Sequence, residues 1–351
     1  MVTELKEFTD KEIHEFTSFS KTYYNNIETT DYEYVKNKFT DYSNKHRSFH
    51  LKIKNDKDFL GRASLNERSL YIQNKKYIIT QVTDLLVNKE YKDPMIFINL
   101  VKSYNKLNND FVIHASNENS ENIYKRFFKF KIIFNLTSYG FPIKFSKIIE
   151  KIFDKKIFVI KLIDIIYNFL LSILFFILSI FSSLKLDECS IKEFDIENRS
   201  KFINKNPNTM ERDTYFLNWR FEKNPNEYFF KKILKGKNSY GFLIFRNTSH
   251  LELNVTLLMD ILITENLNFF DYLKLRINII KEAILSNNDI FFSIVNNNNK
   301  NLKKVFRFPI IPISDNLLQH GTPIFCSSIE KKLNIKNLKE THFTLADLDY
   351  F

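Results

Sequence analysis

The chain has 351 residues, about two domains' worth. With 44% apolar and 26% charged residues, 37 Phe and 17 Tyr, it has too much buriable surface for a mainly disordered chain, and its 5 Gly exclude collagen-like or linker character. The net charge is +11, but 40 Asn against 4 Ala mark a codon bias toward Asn, Lys, Ile, Phe and Tyr, so no single Lys or Asn is read as functional on its frequency alone.

Residues 1–20 carry Glu, Asp and Lys throughout, so no apolar secretory leader is expected there. Strands are predicted over 47–54, 58–72 and 75–88, which are rich in β-branched and aromatic residues, with a hairpin turn at Asn74, Lys75 and Lys76 between the last two. Asp93-Pro94 opens an apolar-periodic run that predicts a helix over 94–107. A short strand over 110–116, a helix over 117–128 and a strand over 131–139 complete a β-β-β-α-β-α-β order, a mixed α/β domain over 1–144.

The next segment, 145–186, differs in kind. Residues 125–161 hold ten Lys/Arg against Glu150 and Asp154, and 165–184 carry no charge at all. Twenty helical residues span roughly 30 Å, the thickness of a hydrocarbon core. Three placements are open for them: a helix buried between domains, a single crossing with the Lys-rich side cytoplasmic, and a shallow membrane contact with both halves cytoplasmic. The adjacent basic, amphipathic stretch favours the third, a cytoplasmic protein held at the inner membrane face through 145–184. A basic surface could instead bind nucleic acid, but its position against the most apolar stretch argues against that.

Residues 187–351 repeat the plan. Strands are predicted over 240–246, 251–263, 289–295 and 322–327, and helices over 269–285 and 301–306. The matching order suggests an internal duplication. Cys189 and Cys326 have no disulfide-framework or metal spacing, and the seven His show none for a metal. A reducing compartment is the simpler reading, although one bridge stays open.

Two stretches carry a family resemblance. Val87-Asn88-Lys89-Glu90-Tyr91-Lys92-Asp93-Pro94-Met95-Ile96-Phe97 stands where a strand, a pyrophosphate turn and a helix meet in GNAT acyltransferases, and Asn117, Ser120, Ile123 and Tyr124 match that family's later Asn…Tyr motif. The second half resembles the degenerate partner domain of tandem GNAT proteins from bacterial surface-polysaccharide clusters, through Asn218-Trp219-Arg220-Phe221, Pro225 and the terminal Thr344…Asp347…Asp349. The resemblance covers most of the chain outside 145–186. It implies two GNAT-like domains, each a mixed, mostly antiparallel sheet flanked by helices, and an acyl-CoA-dependent N-acyltransferase. The acceptor it implies is an amine, such as an amino sugar of a surface glycan. A catalytically inactive binding protein of the same fold at the membrane surface is the alternative.

By that resemblance, Leu85, Leu86 and Val87 offer main-chain groups to the acyl-CoA arm. Lys92, Asp93, Met95 and Ile96 line the pyrophosphate turn, and Asn117 and Ser120 hold the arm from the other side. Tyr124 is the implied proton donor to the departing thiolate. Asp84, at the strand end with Glu90 behind it, is the expected base or substrate contact. Gln81, Thr83, Trp219 and Arg220 are the expected substrate contacts. Two turn glycines of the family are replaced by Asp93 and Met95, Pro94 removes an N–H, and Phe127–Phe130 stand where a glycine follows the Tyr helix. Weak cofactor binding is expected from those losses.

Overall fold

The computed structural model describes all residues except 25–27, 41–45, 57, 92, 105–108, 117, 148, 150–157, 251, 314–322, 328–334 and 349–351. In chain order, the strands are β1 (Val2–Glu7), β2 (Ser48–Lys54), β3 (Phe59–Ile72), β4 (Lys75–Val87), β5 (Phe111–Ala115), β6 (Lys131–Pro142), β7 (Leu184–Glu188), β8 (Thr209–Met210), β9 (Phe229–Lys235), β10 (Asn238–His250), β11 (Leu253–Ile263), β12 (Ile290–Asn296), β13 (Ile311–Pro312) and β14 (Pro323–Ser327). The helices are α1 (Asp10–Lys21), α2 (Tyr32–Phe39), α3 (Pro94–Tyr104), α4 (Glu118–Asn122), α5 (Phe158–Phe181), α6 (Ile196–Lys205), α7 (Thr214–Leu217), α8 (Phe269–Leu285), α9 (Lys300–Val305) and α10 (Ile335–Lys339). Helices α4 and α7 each run into one π-turn, Ile123–Phe127 and Asn218–Glu222.

The chain forms two compact units whose boundaries differ from the expected ones. The first comprises residues 1–135, 208–225 and 320–339, and the second 136–207, 226–319 and 340–351. The division expected near 144 and 187 is therefore displaced, because two pieces of the C-terminal half complete the first unit. Strand β14 lies between β5 and β6, antiparallel to both. Strand β8 extends β3, pairing Leu70 with Met210.

The first unit's sheet runs β1-β2-β3-β4-β5-β14-β6. Its β3–β4 hairpin closes through Gln73 and Asn74, both at positive φ (50° and 63°), as a two-residue turn matched to strand twist requires. Strands β4 and β5 are parallel and joined by α3. The second unit repeats this: β9, β10 and β11 are antiparallel, and β11 and β12 are parallel and joined by α8. The expected duplication is thus present in topology.

Alternation sorts the first sheet's faces. Ala63, Leu65, Val82 and Val112 pack with Ile96, Leu100, Val101 and Tyr104 of α3 in one core. Gly61 permits that approach, since a Cβ there would stand 3.1 Å from Ile96 Cγ2 and from the Leu86 carbonyl. The other face carries Lys52, His50 and Ser48 on β2, Arg62, Ser64, Asn66 and Arg68 on β3, and Gln81 and Thr83 on β4. All of these are buried except Thr83, which is half-buried.

Helix α5 shows two faces. Leu171 and Phe175 are buried in the second unit's core, with Tyr167 partly buried beside them, donating its hydroxyl to the Pro142 carbonyl. The outer face stays open: Ile165, Phe169, Phe176 and Ile180 are 65–71% exposed. A fully buried helix is therefore not what this segment forms. No helix among the described residues is long and apolar enough to cross a membrane. Lys151, Lys155 and Lys156 of the basic stretch before it lie outside the described residues. Both cysteines are free.

Candidate functional site

In the first unit, β4 and β5 pair only from Ile79–Phe111 to Val82–His114. Beyond Val82 they part: Thr83, Leu86 and Val87 pair with β3 alone, and Asp84 and Leu85 lie in the shift between them. The register of β3 against β4 shifts between Arg62 and Ser64, opposite Asp84, which adopts φ 49°. This is a bulge, and a non-glycine residue held at positive φ is a strained position that re-aims a side chain. The Asp84 carboxylate turns onto the polar face. It accepts from Lys38 Nζ of α2 at 2.8 Å, from Ser64 Oγ at 2.9 Å and from Thr83 Oγ1 at 3.2 Å. Burial raises its pKa, but the charges of Lys38 and Arg62 and the hydrogen bonds outweigh burial and hold it below the ordinary carboxylate value. Asp84 is thus ionised at neutral pH.

Lys38 is placed by a segment from far along the chain. Trp219 Nε1 donates to the carbonyl of Asn37 at 2.8 Å, and Asn37 Nδ2 donates to the Lys223 carbonyl at 2.9 Å. Trp219 and Arg220 are both buried in the π-turn after α7. Through this bond Trp219 holds α2, the helix that carries Lys38. The same segment brings Glu211, fully buried, against Arg68 Nε at 2.8 Å and His46 Nε2 at 3.0 Å. Arg68 Nη1 in turn donates to Gln81 Oε1 at 3.1 Å. Thr83 Oγ1 lies 2.7 Å from Ser64 Oγ. Gln81, Thr83 and Asp84 thus share one connected polar face.

Tyr124 lies on the opposite side, in the core with α3. Its ring is 4.0 Å from that of His114, 5.5 Å from Phe97 and 5.7 Å from Phe130, centroid to centroid. His114 is the last β5 residue paired before the strands part. It is buried with neither ring nitrogen bonded, and burial lowers its pKa to about 3, so it is a neutral imidazole. Sequence reading missed His114, Lys38, Ser64 and Arg62. A buried imidazole or guanidinium has no local signature in sequence; only a count of unmet hydrogen bonds exposes it.

The N-terminus of α3 is closed by its own residues. Asp93 Oδ1 accepts from Met95 N at 2.8 Å, the Asp93 carbonyl accepts from Ile96 N at 3.2 Å, and Pro94 has no N–H. A carboxylate therefore sits where an anion would bind. Glu90 is exposed in the preceding turn. Met95 is exposed and Ile96 is core. Ser120 lies half-buried on α4. Lys92 and Asn117 lie outside the described residues.

The second unit has the same parting of strands, and it is filled. Strands β11 and β12 pair only over Val255–Leu257 and Ile290–Phe292, and the β10–β11 register shifts beside Asp260. Residues 341–344 enter beside β12: Thr344 bridges Val295, and Asn296 N donates to the Phe343 carbonyl at 2.9 Å. Thr344 Oγ1 donates to Asp260 Oδ1 at 3.0 Å, and His342 Nε2 lies 3.2 Å from the same oxygen. Phe343, Leu345, Ala346 and Leu348 are buried. Asp349 lies outside the described residues. The terminal motif therefore occupies this unit's opening, and α8 is capped by Asn268 and Asp271. Among the described residues no group of His, Cys, Asp and Glu has metal-binding geometry.

No family model matches the chain, and no curated protein matches it by sequence. Solved structures do. A GCN5-related N-acetyltransferase from Anabaena variabilis superposes with a TM-score of 0.58 at 8% identity, over 94% of this chain and 73% of that one. Saccharomyces cerevisiae N-myristoyltransferase with bound myristoyl-CoA gives 0.57 at 10% identity, over 93% and 82%. A probable N-acyltransferase from Enterococcus faecalis gives 0.55 at 10% identity, over 94% and 73%. At such identities the likeness is one of fold. The chain has a GNAT-like fold in two copies, as the sequence resemblance implied.

Proposed function

We propose that this protein is an acyl-CoA-dependent N-acyltransferase acting on an amine, with its site in the first unit. The observation that carries this reading is the parting of β4 from β5 after Val82 and His114, beside the bulge that turns Asp84 onto the polar face. On the β5 side, residues 83–87 have no strand partner, which suits an extended arm that needs main-chain hydrogen bonds. The pyrophosphate end fits poorly, because Asp93 already occupies the α3 N–H groups.

Bound acyl-CoA would supply a thioester, the activated acyl group. Tyr124 would hold a proton at Oη for the departing sulfur. Asp84, kept ionised by Lys38 and Arg62, is a weak base at neutral pH, so its role is to accept an N–H of the amine and orient it. An amino sugar of a surface glycan is the acceptor that the family resemblance suggests.

Calorimetry with acetyl-CoA tests the cofactor. Wild type should bind weakly, and the double substitution Asp93→Gly, Met95→Gly should bind at least about tenfold more tightly, about 1.4 kcal/mol, by freeing the Met95 N–H and removing a like charge. No binding by either form at millimolar acetyl-CoA would leave the catalytically inactive binding protein as the reading.

Attachment to an anionic membrane surface from the cytoplasmic side is part of this proposal. The exposed Ile165, Phe169, Phe176 and Ile180 lie at helical spacing on α5. The sequence just before them is strongly basic, and anionic lipid attracts each nearby cation by about 1 kcal/mol. The full chain should co-sediment with vesicles containing phosphatidylglycerol, and Phe169→Glu with Phe176→Glu should release it. A wild-type chain left in the supernatant as a dimer, made monomeric by the same substitutions, would assign that face to self-association.

A further inference from the structure

The second unit holds a cleft of about 180 Å³ between α5, the end of α8 and the residues after β6. Asn168, Leu171, Ser172 and Phe175 reach it from α5 at the i, i+3, i+4, i+7 spacing of one helix stripe. Ile143 and Ile284 extend its apolar wall, and Asn288 its polar one. Pockets that enclose a whole small molecule measure about 300–1,000 Å³, so this cleft suits one end of a larger molecule.

The polar wall is fixed from behind. Thr256 Oγ1 gives its one proton to Asn247 Oδ1 at 3.0 Å, so it accepts from Asn288. Asn288 Nδ2 donates to Thr256 Oγ1 at 2.6 Å and to Asn247 Oδ1 at 2.8 Å. Both amide protons are thereby used, and the buried side chain has Oδ1 left to offer the cleft. A fixed acceptor calls for a donor, an O–H or an N–H. A carboxylate or a phosphate dianion brings neither. Charge decides between the two donors. Among the described residues no carboxylate lines the cleft. Lys144 lines it, paired with Asp289 at 3.1 Å, and Lys281 Nζ lies 5.5 Å from the centroid of the Phe175 ring. An ammonium would be repelled by both lysines, so the matching donor is an uncharged hydroxyl.

The other part of the ligand is apolar. On α5, the exposed Phe169 and Ile173 directly follow Asn168 and Ser172, and on α8 the exposed Leu285 directly follows Ile284. The cleft is thus bordered in the chain by outward-facing apolar residues on both helices.

We propose that this cleft takes the uncharged, hydroxyl-bearing headgroup of a membrane lipid, such as a glycosyl diacylglycerol, with the lipid's chains against the exposed face of α5. This rests on the membrane reading of α5, but the cleft can be measured in water without it. Calorimetry of the full chain uses hexyl glucoside, its tetra-O-methyl ether, hexyl phosphate, hexylammonium and free glucose. The glucoside should bind at least about tenfold more tightly than each of the others, because only it brings both hydroxyls and a chain without charge. Asn288→Ala should erase its preference over the ether. Ser172→Trp, which fills the cleft from an exposed position, should abolish its binding. Adding glucosyl diacylglycerol to phosphatidylglycerol vesicles should raise the bound fraction of the wild type and not that of Ser172→Trp. Ether, either charged probe or free glucose binding as tightly as the glucoside would overturn the proposal. If Asn288→Ala does not fold, the wild-type comparison of glucoside with ether decides. Attachment to phosphatidylglycerol vesicles that is indifferent to the glycolipid would overturn this proposal alone, whereas the glucoside preference without any vesicle binding would sink the membrane reading instead.

Discussion

A polypeptide ending at Lys144 is expected not to fold, although its sequence looks like a complete domain. Two missing pieces account for this. Without β14, strands β5 and β6 lose the strand that lies between them and is paired to both. Without 208–225, Arg68 and His46 lose the buried carboxylate of Glu211, and α2 loses its bonds to Trp219 and Lys223. Removing one partner of a buried ion pair alone costs about 3–5 kcal/mol, a large part of a stability of about 5–15 kcal/mol. Circular dichroism of the polypeptide 1–144 should show no cooperative thermal transition. In the full chain, Glu211→Gln should lower stability by about 3 kcal/mol in urea titration. A cooperative transition of 1–144 close to that of the intact chain would mean that the later pieces are additions and not parts of the fold.

Tyr124→Phe is expected to lower turnover by about 10²–10⁴-fold, the usual contribution of a positioned proton donor. The substitution isolates the hydroxyl. Phenylalanine keeps the ring against His114, Phe97, Phe130 and Phe325, so packing is preserved. Stability should therefore change by no more than about 1 kcal/mol, the worth of one hydrogen bond. The Michaelis constant for acetyl-CoA should stay close to wild type, because a proton donated only as the C–S bond breaks is not felt in the bound ground state. Turnover near wild type with stability unchanged would make Tyr124 a packing residue of the α3 core.

Much of the second half's secondary structure was legible. Helix α8 spans the predicted 269–285, and β11 and β12 lie within a residue or two of their predicted ranges. The first 46 residues received no prediction, yet they form β1, α1 and α2. Those helices are short and carry Lys, Glu and Asn through their apolar period, and α2 matters to the site through one residue, Lys38. Asp84 was legible as a strand-end carboxylate, but its bulge was not, since a register shift belongs to the pair β3–β4 and leaves no mark on β4 alone.

What the sequence determined by itself was local: the periods of strands and helices, the Asp93-Pro94 helix start, a hairpin turn near Asn74 and the doubled β-α-β plan. These follow from steric and hydrophobic preferences spanning a few residues. Only the tertiary structure decided which pieces complete which unit, because β14 pairs with β5 across some two hundred residues that carry no local record of it. The same holds for the site. Alternating polar residues such as Arg62, Ser64 and Asn66 have the pattern of any half-buried strand. They became a buried, charged and partly unsatisfied face only when α1, α2 and residues 208–225 covered them. Likewise, that Thr344 enters the strand opening of the second unit, on Val295 and Asp260, is a contact between distant segments that neither records locally.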